Sequence, residues 1–301
     1  MVSESDKTPS FNQRLSAYSL ITFFYFISFC PVFVQKVIAK LVAVLSWYLI
    51  RSRRKITLKN FELCFEQLST TEQIRLAKHC FYKNILGYFQ TASSWCRPVS
   101  RFRNTLTTQG LEHLTEAIKS PKGTLIVGGH FTILDMAGAL LSLLTPYHSV
   151  YRHHNNPLLN QFMIRSRLRF IKSCIDRKDI KTMIRTLKKG DVMWYAPDQD
   201  YGRKHSIFID FFNHPAATIT ATSRLAKLGQ ANVLFMSYFE VSHKKYELRF
   251  FKPENFPSGD DYKDAQIYNQ WLSDEIKQYP TQYLWLHKRF KTRPIGEKSL
   301  Y

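Results

Sequence analysis

The stretch Thr124-Leu125-Ile126-Val127-Gly128-Gly129-His130-Phe131-Thr132-Ile133-Leu134-Asp135 decides the fold, because it passes from a short apolar run to a helical pattern within a single turn. Thr124 to Val127 reads as a buried strand. Gly128-Gly129 lets the backbone turn sharply, and Thr132 opens a helical pattern that continues through Met136, Leu140 and Leu141. A histidine is thus presented at a strand-to-helix junction, five positions ahead of a carboxylate. Along a regular helix that separation would rotate Asp135 about 140° away from His130, so the two meet only if His130 lies in the turn and Asp135 in the first helical turn. Placed so, the carboxylate would accept from one ring nitrogen and leave the other free to take a proton from a hydroxyl. Thr132-x-x-Asp135 also has the form of a capping box, in which Asp135 only satisfies backbone donors.

Working outward, short apolar runs alternate with helical segments. Strands are predicted over Thr124 to Val127, Ser149 to Arg152, Val192 to Ala196, Val233 to Phe239 and Tyr246 to Phe251. Helices are predicted near Thr132 to Leu143, Pro157 to Leu168, Asp179 to Lys188, Ala216 to Leu228 and Tyr262 to Tyr279. Ser69-Thr70-Thr71-Glu72 signals the start of a further helix that ends before Pro98. The alternation predicts an α/β fold, a mixed central sheet flanked by helices. At 301 residues the chain accommodates one large domain with an appendage.

The formal charge of +20 calls for an anionic partner: nucleic acid, a phosphorylated lipid or membrane surface, or an acidic protein. The N-terminus decides between them. Tyr18 to Val34 carries no charge, and apolar character resumes from Val37 to Ile50, long enough to cross or bury deeply in a hydrocarbon layer of about 30 Å. Pro31 predicts a kink in this N-terminal membrane helix. The alternative is a hydrophobic hairpin packed on the globular domain or lying in the interface. Arg51-Ser52-Arg53-Arg54-Lys55 follows at once and places the remainder in the cytoplasm by the positive-inside rule. Five cysteines without a C-x-x-C pair suggest buried, reduced thiols.

Between Gln161 and Gly190 stand ten lysines and arginines against Asp176 and Asp179, with Arg165, Arg167 and Arg169 alternating. Guanidinium forks suit phosphate and carboxylate, whereas Lys181, Lys188 and Lys189 read as a solvated face. Asp198 and Asp200, in the segment Trp194 to Gly202, follow a buried strand at its carboxyl end, where crevices in open α/β sheets bind ligands. Pro-Asp and Asp-x-Gly are also ordinary turn formers. His153, His154, Asp198 and Asp200 lack zinc-site spacing, and no metal or cofactor is expected. The segment Pro280 to Arg293 interleaves aromatics with bases, a pattern that suits lipid headgroups on a membrane-anchored chain and nucleic acid otherwise.

Together these residues resemble the late acyltransferases of lipid A biosynthesis, a branch of the lysophospholipid acyltransferase superfamily. The resemblance spans nearly the whole chain. It rests on the membrane segment, HFTILD, YRHHNNPLLNQFMIRSRLR, DRKDIKTMIRTLKKGDVMWYAPDQDYG, FFNHPAATIT and QYLWLHKRFKTRP in that order. It implies an acyltransferase-like fold, with a tail over 1–16, a membrane-anchoring helical segment over 17–50 and a cytoplasmic domain over 51–301. It implies an inner-membrane enzyme that moves an acyl chain from acyl carrier protein to a phosphorylated lipid A precursor, with no nucleic acid involved. Carried onto matching positions, the catalytic residues would be His130 and Asp135, supported by Arg167 and Asp198. Many relatives have glutamate where Asp135 stands. Arg152, Arg165, Arg169, Arg177, Lys178, Gln199, Asp200, His287, Arg289 and Lys291 are expected to contact the substrate. Backbone amides at the helix start or an arginine would stabilise the oxyanion. The rival readings are a glycerolipid acyltransferase of the lysophosphatidic acid type, whose usual Glu-Gly-Thr-Arg-like block is not found here, and a non-catalytic basic membrane adaptor.

Overall fold

The computed structural model describes residues 9–242 and 244–301. Its N-terminal part is helical. α1 (Phe11–Phe29) opens on a capping box made by Ser10 and Gln13, and α2 (Val32–Leu49) begins directly after Pro31. Proline has no N–H to continue α1, so the apolar segment breaks into two helices rather than bending as one. The Gln35 side-chain amide closes the break by donating to the carbonyls of Ile27 and Cys30, both at 3.0 Å. Residues 1–8 of the expected tail lie outside the described residues, and 11–16 already belong to α1. The expected 17–50 segment is therefore two helices, each packed along α4, with α1 beginning before residue 17 and a break at Pro31 where a kink was expected.

After α3 (Arg51–Cys64), the long α4 (Thr70–Cys96) starts on the Ser69/Glu72 capping box read from the sequence and forms the bracket on which α1 and α2 pack. One face of each of these two helices is buried there. The remainder, including Phe26, Phe33, Leu41, Leu45 and Leu49, is apolar and exposed. Val32–Leu49 is long and apolar enough to cross a membrane.

The domain proper holds β1 (Leu106–Gln109), α5 (Leu111–Lys119), β2 (Thr124–Gly128), α6 (Leu134–Leu141), β3 (His148–Tyr151), α7 (Pro157–Arg167), β4 (Ser173–Asp176), α8 (Ile180–Lys188) and β5 (Val192–Tyr195). There follow β6 (Ser206–Phe211), β7 (His214–Ile219), α9 (Ala221–Gly229), β8 (Asn232–Ser242), β9 (Lys245–Phe251) and α10 (Asp261–Gln278). Seven strands form one sheet in the order β1-β9-β8-β2-β5-β3-β4, parallel throughout except for the β8–β9 pair. β2 sits inside this sheet and every one of its residues is buried, as its uninterrupted apolar run requires.

The expected helix over Ala216 to Leu228 begins as strand. Phe212 and Asn213 both adopt positive φ, 52° and 61°, and join β6 to β7 as a two-residue hairpin that pairs Phe211 with His214. Ala216 to Ile219 are spent on that ladder, and helix begins only at Ala221. β1 (Leu106–Gln109) and β4 (Ser173–Asp176) carry no uninterrupted apolar run and lie outside the predicted strands. All five cysteines are free; Cys64 and Cys80 are buried and the other three partly so.

The C-terminal aromatic and basic block is a structural closure, contrary to the expectation of a headgroup platform. Trp285 and Phe290 are fully buried, and Trp285 packs among the rings of Phe61, Phe65, Phe211 and Phe212. From α3, the Asn60 amide donates to the carbonyls of Trp285 (2.7 Å) and His287 (2.9 Å), while Tyr301 donates to its oxygen. Removing this amide leaves two buried carbonyls without a donor. Asn60→Ala is therefore expected to lower unfolding free energy by about 1–3 kcal/mol in a denaturant titration.

Candidate active site

β2 and β5 are adjacent and parallel, with Val127 paired to Tyr195. Each chain runs three residues beyond that pair, to His130 on one side and Asp198 on the other, so the register alone brings an imidazole and a carboxylate to one sheet edge. The turn carrying His130 is pinned from several directions. Tyr268 donates to the carbonyl of Gly128 at 2.7 Å and Tyr238 to that of Gly129. The segment after α10 lies alongside: Leu284 N–H donates to His130 O (3.0 Å), Thr132 N–H to Gln282 O (2.7 Å), and Phe131 bridges to Tyr283. Glycine is required at 87 on α4, where a Cβ would stand 2.1 Å from the carbonyl oxygen of Thr132, whereas at 129 a Cβ would displace only the end of the Leu272 side chain.

Asp198 is almost wholly buried, its side chain 1% exposed, and accepts three hydrogen bonds. These come from His130 Nδ1 at 2.5 Å, the His130 backbone N–H at 2.9 Å and the Tyr283 hydroxyl at 2.8 Å. Burial pushes its carboxyl upward, but the charge and hydrogen bonds of His130 and Tyr283 prevail and hold it down at about 2. An ionised carboxylate only accepts, so Nδ1 carries the proton and Nε2 of the neutral ring is bare. Burial disfavours the charged ring, yet Asp198 outweighs it and raises the His130 pKa. The imidazole side chain remains 25% exposed, which leaves it open to a substrate.

Asp135 does not hold this ring, although His130 lies in the turn and Asp135 in the first turn of α6 as the pairing demanded. Helix begins only at Leu134, and the Asp135 carboxylate is turned toward α4 and α7. There Arg167 donates to it twice, Nε to Oδ1 at 2.7 Å and Nη2 to Oδ2 at 3.1 Å, and Trp95 Nε1 donates at 3.0 Å. A two-pronged charge-assisted pair of this kind is stronger than one neutral hydrogen bond and commits both carboxylate oxygens. The capping-box alternative is not realised either: the N-cap is Ile133, which makes no side-chain cap. Trp95 in turn packs against Phe24 of α1 and Phe162 of α7, joining this ion pair to the N-terminal helix.

The expected substrate contacts divide. Tyr151 pairs with Asp176, so Arg152 and Arg177 follow side by side at the same carboxyl edge, with Lys178 next; Arg152 and Lys178 are exposed, and Arg177 lies over the Tyr201 ring. Arg165 and Lys291 are exposed, and Gln199 is partly so. Arg169 instead latches the end of α4, donating to the carbonyls of Trp95 and Arg97. Asp200 and Arg289 are corrections to the expected set, since both are buried and engaged within the protein. Asp200 accepts from Gly202 N–H, Thr292 N–H and the Thr292 hydroxyl, which is the turn chemistry its sequence also allowed. Arg289 is 2% exposed and donates to Ala217 O and Thr218 Oγ1. Burial drives His287 down to about 4 against the opposing pull of Asp198, and its Nε2 accepts from Asp200 N–H at 3.3 Å, so it offers no positive charge near neutrality. Sequence reasoning missed Tyr283, Gln282 and Trp95. Tyr283 and Gln282 lay inside a block that had been singled out; Trp95 carried no signal.

The arrangement separates two roles, and titration distinguishes them. The raised pKa means that the ion pair's contribution to stability is fully present below the ordinary histidine value of 6.5 and fades as pH rises through the raised one. In NMR titrations of labelled histidine, Asp198→Asn is expected to drop the His130 pKa below 6.5, because burial then acts unopposed, whereas Asp135→Asn leaves it close to that of the unsubstituted protein. Asp135→Asn is instead expected to cost about 3 kcal/mol in a denaturant titration, since the Arg167 guanidinium, 13% exposed, loses its counter-ion.

Comparison with known proteins agrees with this architecture. Residues 5–292 match the family model described as bacterial lipid A biosynthesis acyltransferase. The chain is 38% identical to the lipid A biosynthesis palmitoleoyltransferase of Escherichia coli over 256 residues, 84% of this chain and 83% of that one. It is likewise 38% identical to the lipid A biosynthesis lauroyltransferase of Escherichia coli, over 83% of each chain. A lipid A biosynthesis acyltransferase of Haemophilus influenzae is 33% identical over 83% of this chain and 81% of that one.

Proposed function

The chain belongs to the bacterial lipid A biosynthesis acyltransferases, and from that membership we propose that it carries a fatty acyl chain from an acyl carrier protein thioester to a hydroxyl of a hydroxyacyl chain on a phosphorylated precursor of the Kdo-lipid IVA type. The observation that carries the mechanism is the His130 ring, held by Asp198 through Nδ1 with Nε2 bare and open to solvent. Nε2 takes the proton of the acceptor hydroxyl as its oxygen attacks the thioester carbonyl. Asp198 stays ionised and stabilises the imidazolium that forms. The tetrahedral intermediate then expels the thiolate of the carrier, which receives the proton from Nε2, so an ester and a free thiol result without an acyl-enzyme.

Arg167 and Asp135 act at one remove, by fixing the start of α6 against α4 and α7. Arg152, Arg165, Arg177 and Lys178 supply cationic groups for the phosphates of the acceptor and the acidic carrier, and Gln199 and Lys291 stand near the same edge. The exposed apolar faces of α1 and α2 and the basic start of α3, Arg51 to Lys55, support a position at the inner membrane with the sheet domain in the cytoplasm.

The test is acyl transfer by the purified protein in detergent, offered acyl carrier protein thioesters with either a diphosphoryl tetra-acyl disaccharide or lysophosphatidic acid. Transfer to the disaccharide is expected, and His130→Ala should reduce it by a factor of about 10²–10⁴ while the protein stays folded, its thermal midpoint lowered because buried Asp198 loses one of its donors. Activity on lysophosphatidic acid alone would overturn the substrate assignment, and full activity of His130→Ala the mechanism.

A further inference from the structure

Between α2 and α4 opens a cavity of about 570 Å³, well away in the chain from the His130 turn. That volume falls in the range of about 300–1,000 Å³ typical of small-molecule sites. Its lining is apolar at the base, where Ala43 and Trp47 are buried, and on the walls, where Val44 and Tyr48 stand. Val37 and Val44 line the cavity and are also more than half exposed, so the wall is continuous with the apolar outer face of α2. Hydrocarbon is the medium that face requires.

The charged side chains lining this cavity are lysines, beside the uncharged polar groups of Tyr48, His79 and Tyr82. Lys36 and Lys40 follow one another by a helical turn on α2, and Lys78 reaches in from α4. Glu240 fixes one end, 3.7 Å from Lys36 and 2.9 Å from Lys83. Lys40 and Lys78 have no such anchor among the described residues; Lys40 is exposed, and the Lys78 ammonium lies 5.9 Å from the centre of the Trp47 ring. An apolar slot with two ammonium groups at its rim matches an amphiphile whose head is an anion. A second copy of this chain is a poor match, because a two-fold contact would bring the same lysines face to face.

We propose that this cavity binds an anionic phospholipid of the surrounding membrane, one acyl chain lying along Val37, Val44, Trp47 and Tyr48 and the phosphate meeting Lys40 and Lys78. The site is distinct from the acyl-transfer centre. It ties α2 to α4, which also carries Gly87 against Thr132 of the His130 segment.

Native mass spectrometry of the full-length protein in detergent, titrated with phosphatidylglycerol or phosphatidylcholine, tests this. One phosphatidylglycerol per chain is expected to be retained in preference to phosphatidylcholine. K40Q/K78Q should weaken that binding by an order of magnitude or more, from about fivefold per lysine. K40R/K78R should keep it. Val44→Trp, which fills the slot without altering charge, should abolish it while acyl transfer in lipid-free detergent continues, and serves if the double variant fails to fold. Equal retention of both lipids, undiminished binding by K40Q/K78Q, or a retained species that proves to be a second chain or the acylated disaccharide would each overturn the proposal.

Discussion

The buried carboxylate of Asp198 is the constraint around which this molecule is organised. A charge that deep in the protein is tolerable only if every lone pair facing it is answered, and here the answers come from distant parts of the chain. The turn after β2 supplies a backbone N–H and an imidazole N–H, and the segment after α10 supplies a phenol. One of the hydrogen bonds that satisfy Asp198, from Tyr283, thus also helps to hold the C-terminal segment over the sheet edge.

Around this centre the charged groups are sorted by their depth. Asp198 and His130 face the opening; Asp135 and Arg167 neutralise one another behind it; Asp200 and Arg289 are absorbed into the C-terminal closure. The cations left free of such duty, notably Arg152, Arg165 and Lys178, are the exposed ones. A net charge of +20 is therefore an incomplete guide to ligand contacts, because part of it is committed to the interior.

What the sequence revealed and what it hid follow from the range of the interactions. The strand-turn-helix at 124–141, the Ser69/Glu72 cap and the β8–β9 strands are local patterns, and each appears where its period or cap placed it. The partner of His130 was not local. An acid five residues away looked natural, but the actual partner is 68 residues distant and is delivered by strand register. The same holds for Trp95, 40 residues from the Asp135 it supports, and for Tyr283, 85 residues from Asp198. The β6–β7 hairpin was hidden for another reason: its alanines have no strand preference, and only the left-handed Phe212-Asn213 turn commits them to a ladder.

Phe24 of the first helix lies against Trp95, and the indole N–H of Trp95 lies against the carboxylate that holds Arg167. The N-terminal helices are consequently no mere tether for an otherwise self-sufficient domain. They form one wall of its interior, and a fragment cut free of them would bare Phe89, Trp95 and Phe162 to water beside the Asp135–Arg167 pair. Solubility gained by truncation would be gained at the expense of the very scaffold that keeps α6 in place.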